Sequence, residues 1–426
     1  MPENGNALDI SLLPDSARIK NGRLSIAGVD LLDLASQYGT PLFVYDEQYL
    51  RDRCKEAVSA WGEGVAYASK AFLSKAMARL AYEEGMSLDV STGGELHVAL
   101  AGGVPAENLV LHGNNKSDQE LITALEVGVG RIVVDSFDEI DRLVSLAKNY
   151  PPPKVLVRVT PGVEAHTHEY IMTGQQDSKF GFGFASGEAR QAVERLQQCA
   201  SVELYGIHCH IGSQIFMLDS FVKAVDILAD FIKEFALPEF CIGGGLGVAY
   251  VEGEKAPSIT EWAFAVKDAC AKHNIPSSIK ITAEPGRSIV ATAGITLYTV
   301  GTIKKIPNIR TFVSVDGGMS DNPRPVLYGS GYEVFLPREV DAPRPMKTTV
   351  VGKHCESGDI IVKDAQVPAD LAVGDILATP VTGAYGFSMA SNYNRLPRPP
   401  IVFVKDGQAR LVVRRETFDD LLRNEV

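Results

Sequence analysis

A lysine closes a short apolar run at Val65-Ala-Tyr-Ala-Ser-Lys70, and a stretch with helical spacing follows at once over 73–84. A strand feeding a helix, with an ionisable residue at the joint, is where α/β proteins place their chemistry. An amine at that joint can attack an aldehyde carbon. Three further patterns could serve such a centre. Gly243-Gly-Gly-Leu-Gly247 can bring backbone N–H groups close to an anion, because no Cβ blocks the approach. The same glycines would also suit a tight turn from strand to helix. They do not fit G-x-G-x-x-G, and the chain has no G-x-x-x-x-G-K-[ST], so a dinucleotide site is disfavoured. Glu284-Pro-Gly-Arg287 sets a carboxylate three residues from a guanidinium. The carboxylate can keep a pyridine nitrogen protonated, or the two groups can pair across the turn. His208-Cys-His210 has strand spacing, so both rings point to one side. With His112 they could bind a metal. An aromatic ring stacked on a flat cofactor agrees better with the neighbouring Ser213 and the glycine loop, so no metal site is expected. His166 and His168 read as parts of a loop rather than as ligands.

The elements that carry these residues form a regular series. Apolar, β-branched runs occur near 64–69, 87–90, 108–112, 131–134, 154–159, 203–211, 239–243 and 279–283. Between them lie stretches of helical period, among them 117–126, 138–148, 187–198, 218–236 and 260–273. Eight strand–helix units over such a length predict a (β/α)8 barrel. Barrels carry their catalytic groups at the C-terminal ends of the strands. Each end here is polar or glycine-rich: Lys70, Asp89 with Glu95, His112 with Asn115, Asp135, Arg158, His208 to Ser213, Gly243 to Gly247, and Glu284 to Arg287. After Arg287 the character changes to short β runs at 288–303, 311–315, 347–351, 360–362, 376–378, 401–404 and 410–414, then a helical turn at 416–423. Turn residues between them predict an antiparallel sandwich or barrel. The expected division is 1–45, a segment that packs with the β domain; 46–290, the barrel; and 291–426, the β domain.

Composition narrows the function. The 426 residues carry a formal net charge of −12, which argues against a nucleic-acid partner. No stretch reaches the ~20 apolar residues needed to span a bilayer, and the polar start lacks the pattern of a signal peptide. A cytoplasmic protein without membrane partners is expected. Six cysteines, none in a C-x-x-C pair, read as reduced thiols.

These motifs together resemble the fold-type III pyridoxal-phosphate enzymes, and within them the diaminopimelate decarboxylase family. The resemblance runs through Tyr67-Ala-Ser-Lys70, Leu88-Asp-Val-Ser-Thr-Gly-Gly-Glu-Leu96, His112-Gly-Asn-Asn-Lys116, His166-Thr-His-Glu-Tyr170, Lys179-Phe-Gly181, His208-Cys-His-Ile-Gly-Ser-Gln214, Gly243–Gly247 and Glu284–Arg287. It continues through Asp321-Asn-Pro-Arg-Pro-Val-Leu-Tyr328, Cys355-Glu-Ser-Gly-Asp359, Gly383-Ala-Tyr385 and Ser391-Asn-Tyr-Asn394, and so covers nearly the whole chain. It implies that Lys70 holds pyridoxal 5'-phosphate as a Schiff base, that His210 stacks on its ring, and that Glu284 faces the pyridine nitrogen. Asp89, Ser213, Gly243, Gly244, Gly245, Gly286, Arg287 and Tyr385 complete the implied cofactor site. Arg287, Arg324, Tyr328, Glu356 and Tyr385 are the implied substrate contacts, and Cys355 the implied proton donor. The Cys355–Glu356 pair would come from the partner of a homodimer, so that the sites are shared. The implied reaction is decarboxylation of meso-2,6-diaminopimelate to L-lysine, the last step of lysine biosynthesis.

The β-domain residues make chemical sense beside this resemblance, because an arginine matches a carboxylate in bidentate fashion and Glu356 suits an ammonium. Three alternatives stay open on the residues. The substrate could be another basic amino acid (ornithine, arginine, lysine or carboxynorspermidine), none of which needs an Arg324-type clamp. A racemase shares barrel and cofactor, but alanine racemases set an arginine where Glu284 stands. A non-catalytic binding protein is opposed by the intact Lys70 and Cys355.

Overall fold

The computed structural model describes residues 8–163 and 177–426. His166 and His168, with the motif they belong to, lie outside the described residues. Eight parallel strands, Ala66–Ala68, Ser87–Val90, Leu109–Leu111, Arg131–Val134, Lys154–Thr160, Glu203–Cys209, Glu239–Cys241 and Lys280–Thr282, each pair with the next in chain order. The ends of this sheet meet: the Ala66 N–H donates to the Ala283 carbonyl and the Ala68 N–H to the Pro285 carbonyl, both at 3.0 Å. The expected barrel is therefore present, with its strands where the apolar runs put them. Covered on both faces, parallel strands read as continuous apolar runs. Ala66, Val110, Val133, Leu156 and Cys241 form one buried cluster with Tyr205 against it.

The intervening helices follow from their spacing. Leu218–Phe235 buries Phe221, Ala224, Val225, Leu228, Phe231 and Ile232, a stripe at intervals of three and four. Ser117 with Glu120, and Ser258 with Glu261, form capping boxes that fix where two of the helices begin.

The chain forms two compact units: Arg53–Val248 with Ala256–Ser288, and Met1–Asp52 with Ala249–Lys255 and Ile289–Val426. The first carries the barrel. Ala249–Lys255 lies inside the stretch read as barrel from sequence, yet it belongs to the second unit.

The second unit is built on a sheet of order Ile360–Val367, Met346–Val351, Arg310–Val315, Gly294–Ile306, Leu42–Asp46, Ile401–Lys405, Gln408–Val413, with Ile376–Thr379 paired to the long strand Gly294–Ile306. The sheet is mixed, since Leu42–Asp46 runs parallel to Ile401–Lys405 and Arg310–Val315 parallel to Met346–Val351. Leu42 and Val44 face a core shared with Leu24, Leu31, Ile295, Leu297, Phe335 and Val402. Tyr45, of opposite parity, donates its hydroxyl to the Gly383 carbonyl at 2.8 Å. One run departs from the sequence reading. A helical turn, Arg287–Val290, precedes the strand, which begins only at Gly294. Ile289 and Val290 are β-branched, and so short an apolar run does not distinguish helix from strand by period.

One buried ion pair ties barrel strands together. Arg131 at the start of the fourth strand meets both oxygens of Glu239 at the start of the seventh, at 2.6 and 2.8 Å, and Thr282 donates to the same carboxylate at 2.7 Å. Glu239 is 3 % exposed. Removing one partner strands a buried charge, so Glu239→Ala is expected to cost about 3–5 kcal/mol. The shift in urea midpoint checks this, and a loss below about 1 kcal/mol, the scale of an exposed pair, would contradict it.

Candidate active site

Strand ends of the barrel bring the expected residues to one place. Lys70 lies on a short 3-10 turn, Ser69–Ala71, immediately after the first strand, and is exposed. The neighbouring strand end is packed on that turn. A Cβ on Gly286 would come within 2.9 Å of the Ala68 Cβ and 3.0 Å of the Ala68 carbonyl oxygen. Glycine at 286 thus lets the eighth strand close on the residues that present Lys70. Lys116, the other lysine of the strand-end motifs, is buried. Its Nζ donates to the Gly113 and Val133 carbonyls and to Glu139 Oε1, at 2.7, 2.6 and 2.7 Å. All three of its donors are occupied, whereas Lys70 is exposed on the turn after the first strand.

Glu284, at the end of the eighth strand and 6 % exposed, is gripped from two strands. His112 Nε2 lies 2.8 Å from one carboxylate oxygen and His208 Nε2 lies 3.0 Å from the other. Burial pushes the Glu284 carboxyl up, but the charges of His112 and His208 and their hydrogen bonds outweigh it and hold the group well below the usual carboxylate range. Burial lowers His112, but Asp89 and Glu284 prevail and raise it. His208 is lowered, by burial first, against the pull of Glu284. Its buried Nδ1 has no hydrogen-bond partner among the described residues. Glu284 therefore meets these two histidines, and Arg287 Nη2 donates to Ser213 Oγ at 2.8 Å.

The H-x-H pair splits its duties. The sixth strand ends at Cys209; His208 serves Glu284, while His210 takes the Gly244 N–H on its Nδ1 at 3.1 Å. That bond leaves the proton of a neutral ring on Nε2. Burial, with the charges of Lys70, Arg158 and His208, holds His210 well below the ordinary imidazole value. His112, His208 and Glu284, rather than the three histidines, are the donor atoms that lie within 4.8 Å of one another. Their spacings are those of hydrogen bonds to a carboxylate.

The glycine loop answers a steric demand as well. A Cβ at Gly243, Gly244 or Gly245 would meet the carbonyl oxygens of Cys209, Glu284 or Gly212 at 2.2–2.3 Å. The turn can run this close to its neighbours only without side chains. Asp89 is buried at the end of the second strand, its Oδ1 4.0 Å from His112 Nε2 and without a hydrogen-bond partner among the described residues. Burial raises its pKa against the pull of His112.

Pyridoxal phosphate fits this donor set. The exposed Lys70 suits its aldehyde. An ionised carboxylate, with lone pairs left after accepting one bond on each oxygen, suits its pyridinium N–H. A neutral ring suits its face, and Ser213, the glycine loop and Arg287 suit its phosphate.

In the second unit, Arg324 and Tyr328 begin and end the short helix Arg324–Tyr328, four residues apart and so on one face. Arg324 is 4 % exposed, its guanidinium 4.1 Å from the Tyr250 ring centre, and it donates to the Tyr332 hydroxyl. Its guanidinium also lies 5.5 Å from the Tyr332 ring centre. Tyr385 is half-buried with a left-handed backbone, φ 60°. Cys355 and Glu356 are exposed, whereas Cys54, Cys209, Cys241 and Cys270 are buried thiols. The grip of His112 and His208 on Glu284 is the feature that the residue pattern did not disclose. The partners are 172 and 76 residues apart, and only the strand-end positions marked them as neighbours.

Comparison with known proteins agrees with this geometry. The family described as pyridoxal-dependent decarboxylase, pyridoxal binding domain, matches residues 48–291. The diaminopimelate decarboxylase of Bacillus subtilis (strain 168) is 47% identical over 426 residues, covering 96% of this chain and 96% of that protein. That of Mycobacterium tuberculosis (strain ATCC 25618 / H37Rv) is 48% identical over 433 residues, covering 97% of each. A crystal structure of the M. jannaschii diaminopimelate decarboxylase with L-lysine matches with a TM-score of 0.89 at 33% identity, over 97% of this chain and 98% of that one. The chain belongs to the pyridoxal-dependent decarboxylases, in the diaminopimelate decarboxylase family.

Proposed function

We propose that this chain decarboxylates meso-2,6-diaminopimelate to L-lysine and CO2, with pyridoxal phosphate, as a cytoplasmic homodimer in lysine biosynthesis. The observation that carries the chemistry is Glu284, kept ionised by two histidines at the mouth of a barrel that also presents Lys70. Lys70 would hold the cofactor through its side-chain amine. Glu284 keeps a proton on the ring nitrogen. His210, its tautomer set by Gly244, would lie against the ring face, and Asp89 adds a second carboxylate beside His112. Ser213, Gly243, Gly244, Gly245, Gly286, Arg287 and Tyr385 take the phosphate. When bound, the cofactor supplies an electron sink for the pair left as CO2 departs.

Specificity rests with the second unit. Arg324 is a buried cation whose contacts are aromatic, and the substrate's distal carboxylate would supply the anion. Tyr328 on the same helix face, Tyr385 and Arg287 complete that grip, and Glu356 accepts the distal ammonium. Cys355 gives a proton to the carbon that loses CO2, a D-configured centre in this family. The exposure of Cys355 and Glu356 in the single chain supports their delivery to the partner's site. Hydrogen bonds to charged groups are worth about 1.5–3 kcal/mol. Glu356→Gln should therefore raise KM for diaminopimelate on the order of tenfold to a hundredfold, while the dissociation constant of the cofactor holds. An equal loss of both would make Glu356 structural.

A further inference from the structure

The turn that carries Cys355 joins the strands Met346–Val351 and Ile360–Val367. Its tip is exposed and its shoulders are buried, with His354 at 7 % and Asp359 at 3 %. The Asp359 carboxylate accepts the His354 N–H at 2.9 Å and the Met319 N–H at 2.7 Å. Gly352 leaves room for it, since a Cβ there would stand 2.2 Å from Asp359 Oδ2. The His354 ring is held at both nitrogens, by Ser320 Oγ at 2.8 Å and by Asn394 Oδ1 at 3.3 Å. The same Asn394 oxygen accepts the Cys355 N–H at 3.0 Å. Asn394 has a left-handed backbone, φ 51°, which asparagine tolerates better than most residues. Ser391, in the same loop, donates its N–H to the Ser320 carbonyl at 2.9 Å.

We infer that Asn394 is a positioning residue for the proton-transfer step: its one side-chain oxygen spans His354 and Cys355 and sets where the Cys355 thiol points. The inference rests on the role given to Cys355 above. Fixing one backbone N–H matters because misplacing a reacting group by about 1 Å can cost on the order of a hundredfold.

The test is a double-mutant cycle on the cofactor-loaded enzyme. Asn394→Gly keeps the left-handed backbone and deletes the amide. It should lower kcat for diaminopimelate on the order of tenfold to a hundredfold, with KM little changed. In a Cys355→Ala background the same substitution should cost less than about twofold, because the two residues act as one unit. An equal fall in both backgrounds, or an effect confined to KM, overturns the inference. Asn394→Asp retains an acceptor oxygen and should recover most of the kcat lost in the glycine variant. Should Asn394→Gly fail to fold, that variant decides: kcat near the parent's supports the inference, and kcat as low as that of Cys355→Ala overturns it. If Cys355→Ala alone keeps the parent's kcat, the role of Cys355 itself has failed, and the inference with it; that single-variant arm separates the two failures.

Discussion

Lys70→Ala is expected to lose turnover by on the order of a thousandfold or more, and to lose covalent attachment of the cofactor with it. Lys70 stands exposed on the turn after the first strand, and its charge bears on both Asp89 and His210. The competing amine, Lys116, has its three donors spent on two carbonyls and Glu139 in a site where its side chain is 1 % exposed. Borohydride reduction of the loaded protein, followed by peptide mass mapping, should place the pyridoxyl group on the Lys70 peptide and nowhere else. In Lys70→Ala no peptide should carry it. Retained turnover, or a label on Lys116, would remove Lys70 from its role.

Glu284→Gln should cost on the order of a hundredfold in kcat or more, the scale of removing one preorganised electrostatic partner from a buried site. The substitution keeps the shape and removes the charge that the two histidines hold in place. It has a consequence that needs no turnover. Because Glu284 is one of the charges raising His112, its neutral replacement should lower the His112 pKa, leaving Asp89 to raise it alone. An NMR titration of the imidazole in protein free of cofactor reads that shift. A kcat within about threefold of the parent's, against the scale set by such groups, would show that the carboxylate is not needed at the ring nitrogen.

Much of the barrel is legible in the chain because its parallel strands are buried on both faces. Val110, Val133 and Leu156 sit in unbroken apolar runs, and the polar residues that interrupt the pattern stand at strand ends. Lys70, Glu284 and the glycine loop can be found that way from spacing alone. Pairings across the barrel cannot. Nothing local in His112 or His208 says that each will hold one oxygen of Glu284, and the H-x-H spacing does not announce that His208 meets Glu284 while His210 meets the Gly244 N–H. The same holds in the second unit. Leu42–Asp46 reads as one more apolar run, and only the register shows it seated between Gly294–Ile306 and Ile401–Lys405. Ile289 and Val290 look like strand because β-branched residues fit strands, while the turn at Pro285 and Gly286 starts a helical turn through them. Asn394 is visible as part of a motif, yet its bond to Cys355 spans 39 residues and depends on a left-handed backbone that composition does not announce.

The central claim, a decarboxylase whose buried Arg324 and exposed Glu356 select a substrate with an amino acid at each end, is tested most directly by CO2 release. The cofactor-loaded protein would be given meso-diaminopimelate, L-ornithine, L-lysine and L-arginine in parallel, with the amine products identified. Strong release from diaminopimelate alone, with L-lysine formed in equal amount, is the expected result. Release from one of the other three instead would overturn the roles of Arg324 and Glu356, and no release from any despite a covalently held cofactor would contradict the reaction itself.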